Sequence, residues 1–169
     1  MNQEIFTVSI STENNVGLLN RVTSIFLKRH INIESLTASE SEIKDIHRFT
    51  IVVKTTEEAI KKVVKQLEKQ VEVVRAYYHR EKDIFAQEIA MYKLSVEKFY
   101  EANLQSILKE NHATIAGIEK EFIVIEKTGS YTETKKLYDE LYPFGLMQFV
   151  RSGQIAITKP KMLISEFIR

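Results

Sequence analysis

The chain has 169 residues, 44% of them hydrophobic and 28% charged, and a formal net charge of +1, which suits one medium or two small globular domains. So even a balance, without any basic block, excludes general binding to nucleic acid or anionic membranes through bulk charge. With no cysteine there is no disulfide, thiolate metal site or cysteine nucleophile, and a reducing cytoplasm is the expected setting.

Phe6, Val8 and Ile10 alternate with Thr7, Ser9 and Ser11, the period of two of a half-buried strand with a polar outer face. After Gly17, Leu18, Leu19, Val22, Ile25 and Phe26 take the one-sided spacing of an amphipathic helix that runs out into Lys28 and Arg29. Residues 32–38 read as a second strand, 39–44 as a turn and 46–54 (IHRFTIVVK) as a third, β-branched strand. Thr55 and Glu58 have capping-box spacing and open a helix with the core stripe Ile60, Val63, Val64 and Leu67. Residues 71–78 make a fourth strand, completing the β-α-β-β-α-β order of a ferredoxin-like domain.

The order then repeats. Residues 84–96 read as a strand, 99–108 as a helix, and 112–118 and 122–127 as two strands. Ser130 and Glu133 form a second capping box, ahead of a helix carrying Leu137, Tyr138 and Leu141 that Pro143 and Gly145 stop. Residues 146–150 and 154–158 finish that sheet, and 161–169 form a short amphipathic tail. The expected fold is α+β, with two ferredoxin-like βαββαβ domains. Their expected bounds are 1–78 and 84–169, joined by a charged connector at 79–83 (HREKD).

No catalytic set stands out. His30, His47, His79 and His112 are scattered without metal-ligand spacing, and the acids sit among lysines, as in Glu57-Glu58 before Lys61-Lys62. Gly17 and Gly129 are isolated, so no phosphate loop is present. The opening MNQEIFTVSISTE does not read as a signal peptide, and no apolar run approaches the roughly 18–20 residues of a membrane span. FTIVVK lacks the aromatic pattern of an RNA-binding sheet, although Phe49, Tyr77 and Tyr78 form a conceivable stacking platform. Arg21 with Asn20 is a faint candidate anion site for a small phosphatase.

The strand-to-helix junction ENNVGLLNRV (13–22) is the remaining feature. The first amides of a helix are unpaired and partly positive, so they can hold a carboxylate. Gly17 keeps side-chain atoms clear, Asn14 supplies a donor and an acceptor, and Leu18 and Leu19 offer an apolar wall. An ordinary turn glycine and helix cap fit the same residues.

This junction, followed by NIESLT (32–37), resembles the ACT domain of the small, regulatory subunit of acetolactate synthase (acetohydroxyacid synthase). The likeness continues through HRFTI (47–51), KQLEKQVEVVRA (65–76), QEIAMYKL (87–94) and VRSGQIAI (150–157), over nearly the whole chain. The resemblance implies a non-catalytic, cytoplasmic partner of the large catalytic subunit. It activates that subunit and confers feedback inhibition by valine or another branched-chain amino acid. Thiamine diphosphate, Mg and FAD are expected only in the catalytic partner, and no cofactor or metal in this chain. The resemblance also implies a homodimer through the ACT domains with the effector at the interface. Asn14, Val16, Gly17, Leu18 and Leu19 would form the loop side of the site, and Asn32 and Ile33 would come from the facing chain. Two positions depart from the family pattern: His30 replaces a common glycine, and Leu18-Leu19 a common alanine–leucine pair. A free-standing ACT sensor acting on another enzyme or a transcription factor is the alternative.

Overall fold

The computed structural model describes residues 3–161, without the Ala102 side chain. The expected tail therefore lies outside the described residues beyond Lys161. The elements of the first repeat are β1 (Glu4–Glu13), α1 (Leu18–Leu27), β2 (Ile33–Glu40), β3 (Ile46–Thr55), α2 (Glu57–Leu67) and β4 (Val73–Arg80). They form an antiparallel sheet ordered β2-β3-β1-β4. The second repeat comprises β5 (Ile84–Ser95), α3 (Val96–Phe99), α4 (Ala102–Glu110), β6 (Thr114–Ile118), β7 (Phe122–Gly129), α5 (Tyr131–Leu141), β8 (Gln148–Arg151) and β9 (Ile155–Thr158). Its sheet is ordered β6-β7-β5-β8, with β9 also paired to β5. The first four strands of each repeat thus take the same order, and the fold is α+β with two ferredoxin-like halves. By packing, the chain divides into residues 3–85 with 154–161, and residues 86–153.

Each unit has its own core. In the first, Phe6, Val8 and Ile10 of β1 face Ile51 and Val53 of β3, and the stripes Val22, Ile25, Phe26 and Ile60, Val63, Leu67 close over them. In the second, Ala90, Tyr92 and Leu94 pack with Ile123, Ile125, Leu104, Leu137 and Leu141. Alternating strands and one-sided helices bury their apolar faces against each other, which is the main driving force for both units.

Several expectations need correction. The Thr55–Glu58 capping box is not formed: Thr55 stays in β3, buried opposite Glu4, and Thr56 caps α2 by accepting from the Ala59 amide at 3.3 Å. The helix expected at 99–108 is two pieces, because Glu101 is extended (φ −70°, ψ 123°) between α3 and α4. β4 continues through Arg80, two residues past the expected strand end. β1 is buried on both faces, with Thr7 2% and Ser9 3% exposed. It is a central strand, and Gln154 is laid across that polar face. The Gln154 side-chain amide donates to Thr7 Oγ1 at 3.0 Å, its backbone amide donates to Ser35 Oγ at 3.1 Å, and its carbonyl accepts from Thr37 at 3.0 Å.

The Ser130–Glu133 box is complete. The Ser130 hydroxyl accepts from the Glu133 amide, and the Glu133 carboxylate accepts from the Ser130 amide at 2.7 Å. Hydrogen bonds from the Ser130 hydroxyl and then the Ser130 amide hold the Glu133 carboxyl below its ordinary value. A lowered folded-state value stabilises the protein above the unfolded carboxylate range, and that stabilisation is lost as pH falls through the folded-state value. Ser130→Ala is therefore expected to lower the stability of this unit by about 1 kcal/mol at neutral pH. The deficit should shrink in acid, as denaturant midpoints at the two pH values will read.

Candidate functional site

Gly17 is the residue that turns β1 into α1. It sits at φ 82°, ψ 0° and makes no side-chain cap, so the helix begins with its amides unspent. Leu18 N donates to the Asn15 carbonyl at 3.3 Å. The amides of Val16, Gly17, Leu19 and Asn20 find no hydrogen-bond partner among the described residues. Unpaired donors at a helix start can hold an anion.

The loop is pinned on two sides. Asn14 N donates to the Asp45 carbonyl at 3.0 Å, tying it to the β2–β3 turn, and Glu13 N donates to the Glu72 carbonyl at 2.9 Å, tying it to the α2–β4 turn. Arg21 pairs with the Glu72 carboxylate, whose own backbone amide, and then Arg21, hold it below the ordinary carboxylate value. The faint phosphatase candidate is therefore engaged in a structural ion pair.

A recess of about 220 Å³ opens at this junction. Asn14, Gly17, Leu18 and Leu19 line it, as do Glu13, Asn15, Ala38, His47 and Phe49. Leu18 reaches into the core, while Leu19 is half-exposed and forms the rim. Val16 does not line the recess; its side chain is fully exposed (102%) at the loop tip.

Asn32 and Ile33 lie elsewhere. Ile33 pairs with Val53, whereas the recess touches β2 and β3 at the Ala38–Phe49 pair. Five residues of strand separate those points by about 17 Å. Asn32 donates to the Glu34 carboxylate at 3.1 Å. Within one chain, the two groups of proposed site residues stand at opposite ends of β2.

His47 and Ala38 are lining residues that sequence reasoning missed. Their signal was weak, because only the β2–β3 and β1–β3 registers bring them beside the Gly17 loop. His47 Nε2 and its cross-strand neighbour Thr12 Oγ1 are buried without a hydrogen-bond partner among the described residues. Buried polar atoms without a partner are uncommon in folded proteins.

The stacking platform does not exist: Phe49 and Tyr78 face the helices, Tyr78 edge-on to Phe6 at 5.6 Å, while Tyr77 faces the opposite side of the sheet. His30 takes φ 54° after α1, the left-handed conformation that its place in a glycine-favouring position implied. Among the described residues no group of three or more acidic or imidazole side chains is placed to hold a metal ion.

Comparison with known proteins bears on both units. Residues 8–75 match the family described as "AHAS small subunit-like ACT domain", and residues 87–160 match "Small subunit of acetolactate synthase". The acetolactate synthase small subunit of Bacillus subtilis (strain 168) is 29% identical over 153 residues, covering 90% of this chain and 89% of that protein. That of Mycolicibacterium smegmatis is 28% identical over 153 residues, covering 90% of each. The crystal structure of the small subunit from Thermotoga maritima superposes with a TM-score of 0.84 over 94% of this chain and 99% of that one, at 24% identity, and so shares the fold. With family matches on both repeats and relatives aligned along nearly their full lengths, the chain belongs to the acetolactate synthase small-subunit family.

Proposed function

We propose that this chain is the regulatory subunit of acetolactate synthase. It raises the activity of a thiamine-diphosphate-dependent large subunit and makes that activity sensitive to valine or another branched-chain amino acid. It has no turnover of its own, and thiamine diphosphate, Mg and FAD reside in the cytoplasmic catalytic partner. Family membership supports the pairing with a large subunit. The observation that carries the regulatory part is the recess with four unspent amides at the Gly17 turn.

The effector's carboxylate is held by the amides around Gly17, its polar backbone groups by Asn14, and its branched side chain by Leu18 and Leu19. The site is completed by a second copy. β2 is an edge strand whose outer side has no neighbour in the sheet among the described residues, and exposed edges pair readily with another chain. Antiparallel pairing of two β2 edges about a two-fold axis brings the start of one β2 beside the end of the other. The partner's Asn32 and Ile33 then approach the Ala38 end, where the Gly17 recess opens. This geometry explains how residues about 17 Å apart in one chain act on one ligand.

Feedback follows by linkage. A ligand bridging two protomers favours the arrangement that it fits, and it inhibits only if that arrangement activates the large subunit less. To test the site, valine is titrated into the purified chain and the amide NMR signals are followed. Shifts at both 14–19 and 32–33, with a dimer in solution, are expected. Shifts at 14–19 alone would mean a site within one chain, and shifts at neither would remove the effector reading.

A further inference from the structure

The second unit has a recess that regulation at Gly17 does not use. It measures about 320 Å³, at the lower end of the range for small-molecule sites. Tyr131, Thr134, Lys135 and Tyr138 line it from α5, at the spacing of one helix face, and Phe149 and Arg151 line it from one face of β8. The floor is aromatic: the Tyr138 and Phe149 ring centres are 4.8 Å apart, and Phe149 lies 5.2 Å from the buried Tyr92 ring. Two cations each stand over a tyrosine. The Arg151 guanidinium is 4.2 Å from the Tyr131 ring centre, and the Lys135 ammonium is 4.3 Å from that of Tyr138.

Arg151 is held in place without being satisfied. Glu88 lies behind it, only 7% exposed, and accepts a 2.6 Å hydrogen bond from the Thr134 hydroxyl. The Arg151 Nη1 approaches the same carboxylate oxygen only to 3.5 Å, well beyond the distance of about 2.8 Å for a tight charge-assisted bond. Among the described residues the guanidinium has no other hydrogen-bond acceptor, so most of its N–H donors remain for something in the recess. Lys135 is engaged differently, 2.7 Å from Asp139 on the next turn, and contributes field more than a bond.

We propose that this recess binds a small organic carboxylate with a flat or apolar body. Its anion takes two parallel hydrogen bonds from Arg151, and its body lies on Phe149 and Tyr138. An inorganic anion would gain nothing from the aromatic floor, and an apolar cation would meet two like charges.

Benzoate is the probe, with benzylamine (the same body with opposite charge) and inorganic phosphate (charge without the body) as comparators, each titrated into the full chain by amide NMR. Benzoate is expected to shift signals from 131–138 and 149–151 at millimolar concentration, and to bind about tenfold or more tightly than either comparator. Arg151→Met should lose about tenfold in benzoate affinity. Lys135→Met, on an exposed helix face, should lose about threefold. Failure of benzoate to shift those signals, equal binding of benzylamine or phosphate, or unchanged affinity in Lys135→Met with Arg151→Met also unchanged would each overturn the proposal. Should Arg151→Met fail to fold, the benzoate-to-benzylamine ratio on the natural chain decides.

Discussion

Gly17→Asp is expected to raise the valine concentration needed for half-inhibition of the reconstituted enzyme by about tenfold or more, with activation by the small subunit retained. Two effects act at this position, and they can be separated. The first is backbone strain, because Gly17 has φ 82° and a left-handed conformation costs a side-chain-bearing residue about 1–2 kcal/mol. Space is not limiting, since a Cβ there meets no atom within 4 Å. The second is charge. An aspartate carboxylate at the start of α1 would itself take the unspent amides and repel the effector's carboxylate. By occupying those donors it also recovers part of the strain. Gly17→Ala carries the strain without the charge and should therefore keep most of the valine sensitivity. Asn14→Ala should weaken inhibition less than Gly17→Asp, because it removes one polar contact and adds no repulsion. A half-inhibition concentration unchanged in both Gly17→Asp and Asn14→Ala would move the effector site elsewhere.

Phe26→Ala is expected to destabilise the first unit by about 3–5 kcal/mol. Phe26 is fully buried on α1, among Phe6, Val22 and Ile51 in the core beneath the helix. Truncation leaves a cavity that the sheet cannot close, because β1 and β3 are held in register along ten paired residues. Phe26→Leu keeps most of the volume and should cost about 1.5 kcal/mol or less. Since α1 carries the Gly17 amides, the alanine variant should also lose valine binding at temperatures where the chain remains folded. Two units need not unfold together, so the measurement is denaturant unfolding followed through amide signals of residues 3–85. Equal midpoints for Phe26→Ala and the natural chain would contradict the place of Phe26 in this core.

Much of this fold was legible because burial imposes short periods on sequence. Phe6-Val8-Ile10 and Ile60-Val63-Val64-Leu67 reveal a strand and a helix directly, and their order reveals the repeat. What was not legible depends on neighbours distant in sequence. Thr55 and Thr56 are equally good caps as residues, and only the pairing of Thr55 with Glu4 passes the role to Thr56. The polar side of β1 reads as solvent-facing until Gln154, 147 residues after Thr7, comes to bond with it. At the site, the Gly17 loop was visible as a local junction. His47 was not, because its place follows from the β1–β3 register. That Asn32 and Ile33 come from a facing chain was implied by the family resemblance alone, and their distance from the recess follows from the β2–β3 register.

Reconstitution of the purified chain with a large subunit, with acetolactate formation measured with and without valine, tests the regulatory assignment. A rise in the large subunit's rate on adding the chain, reversed by valine, is the expected result, and the chain alone should form no product. No change in rate and no valine sensitivity on mixing, under conditions where the two subunits are folded, would contradict the regulatory assignment.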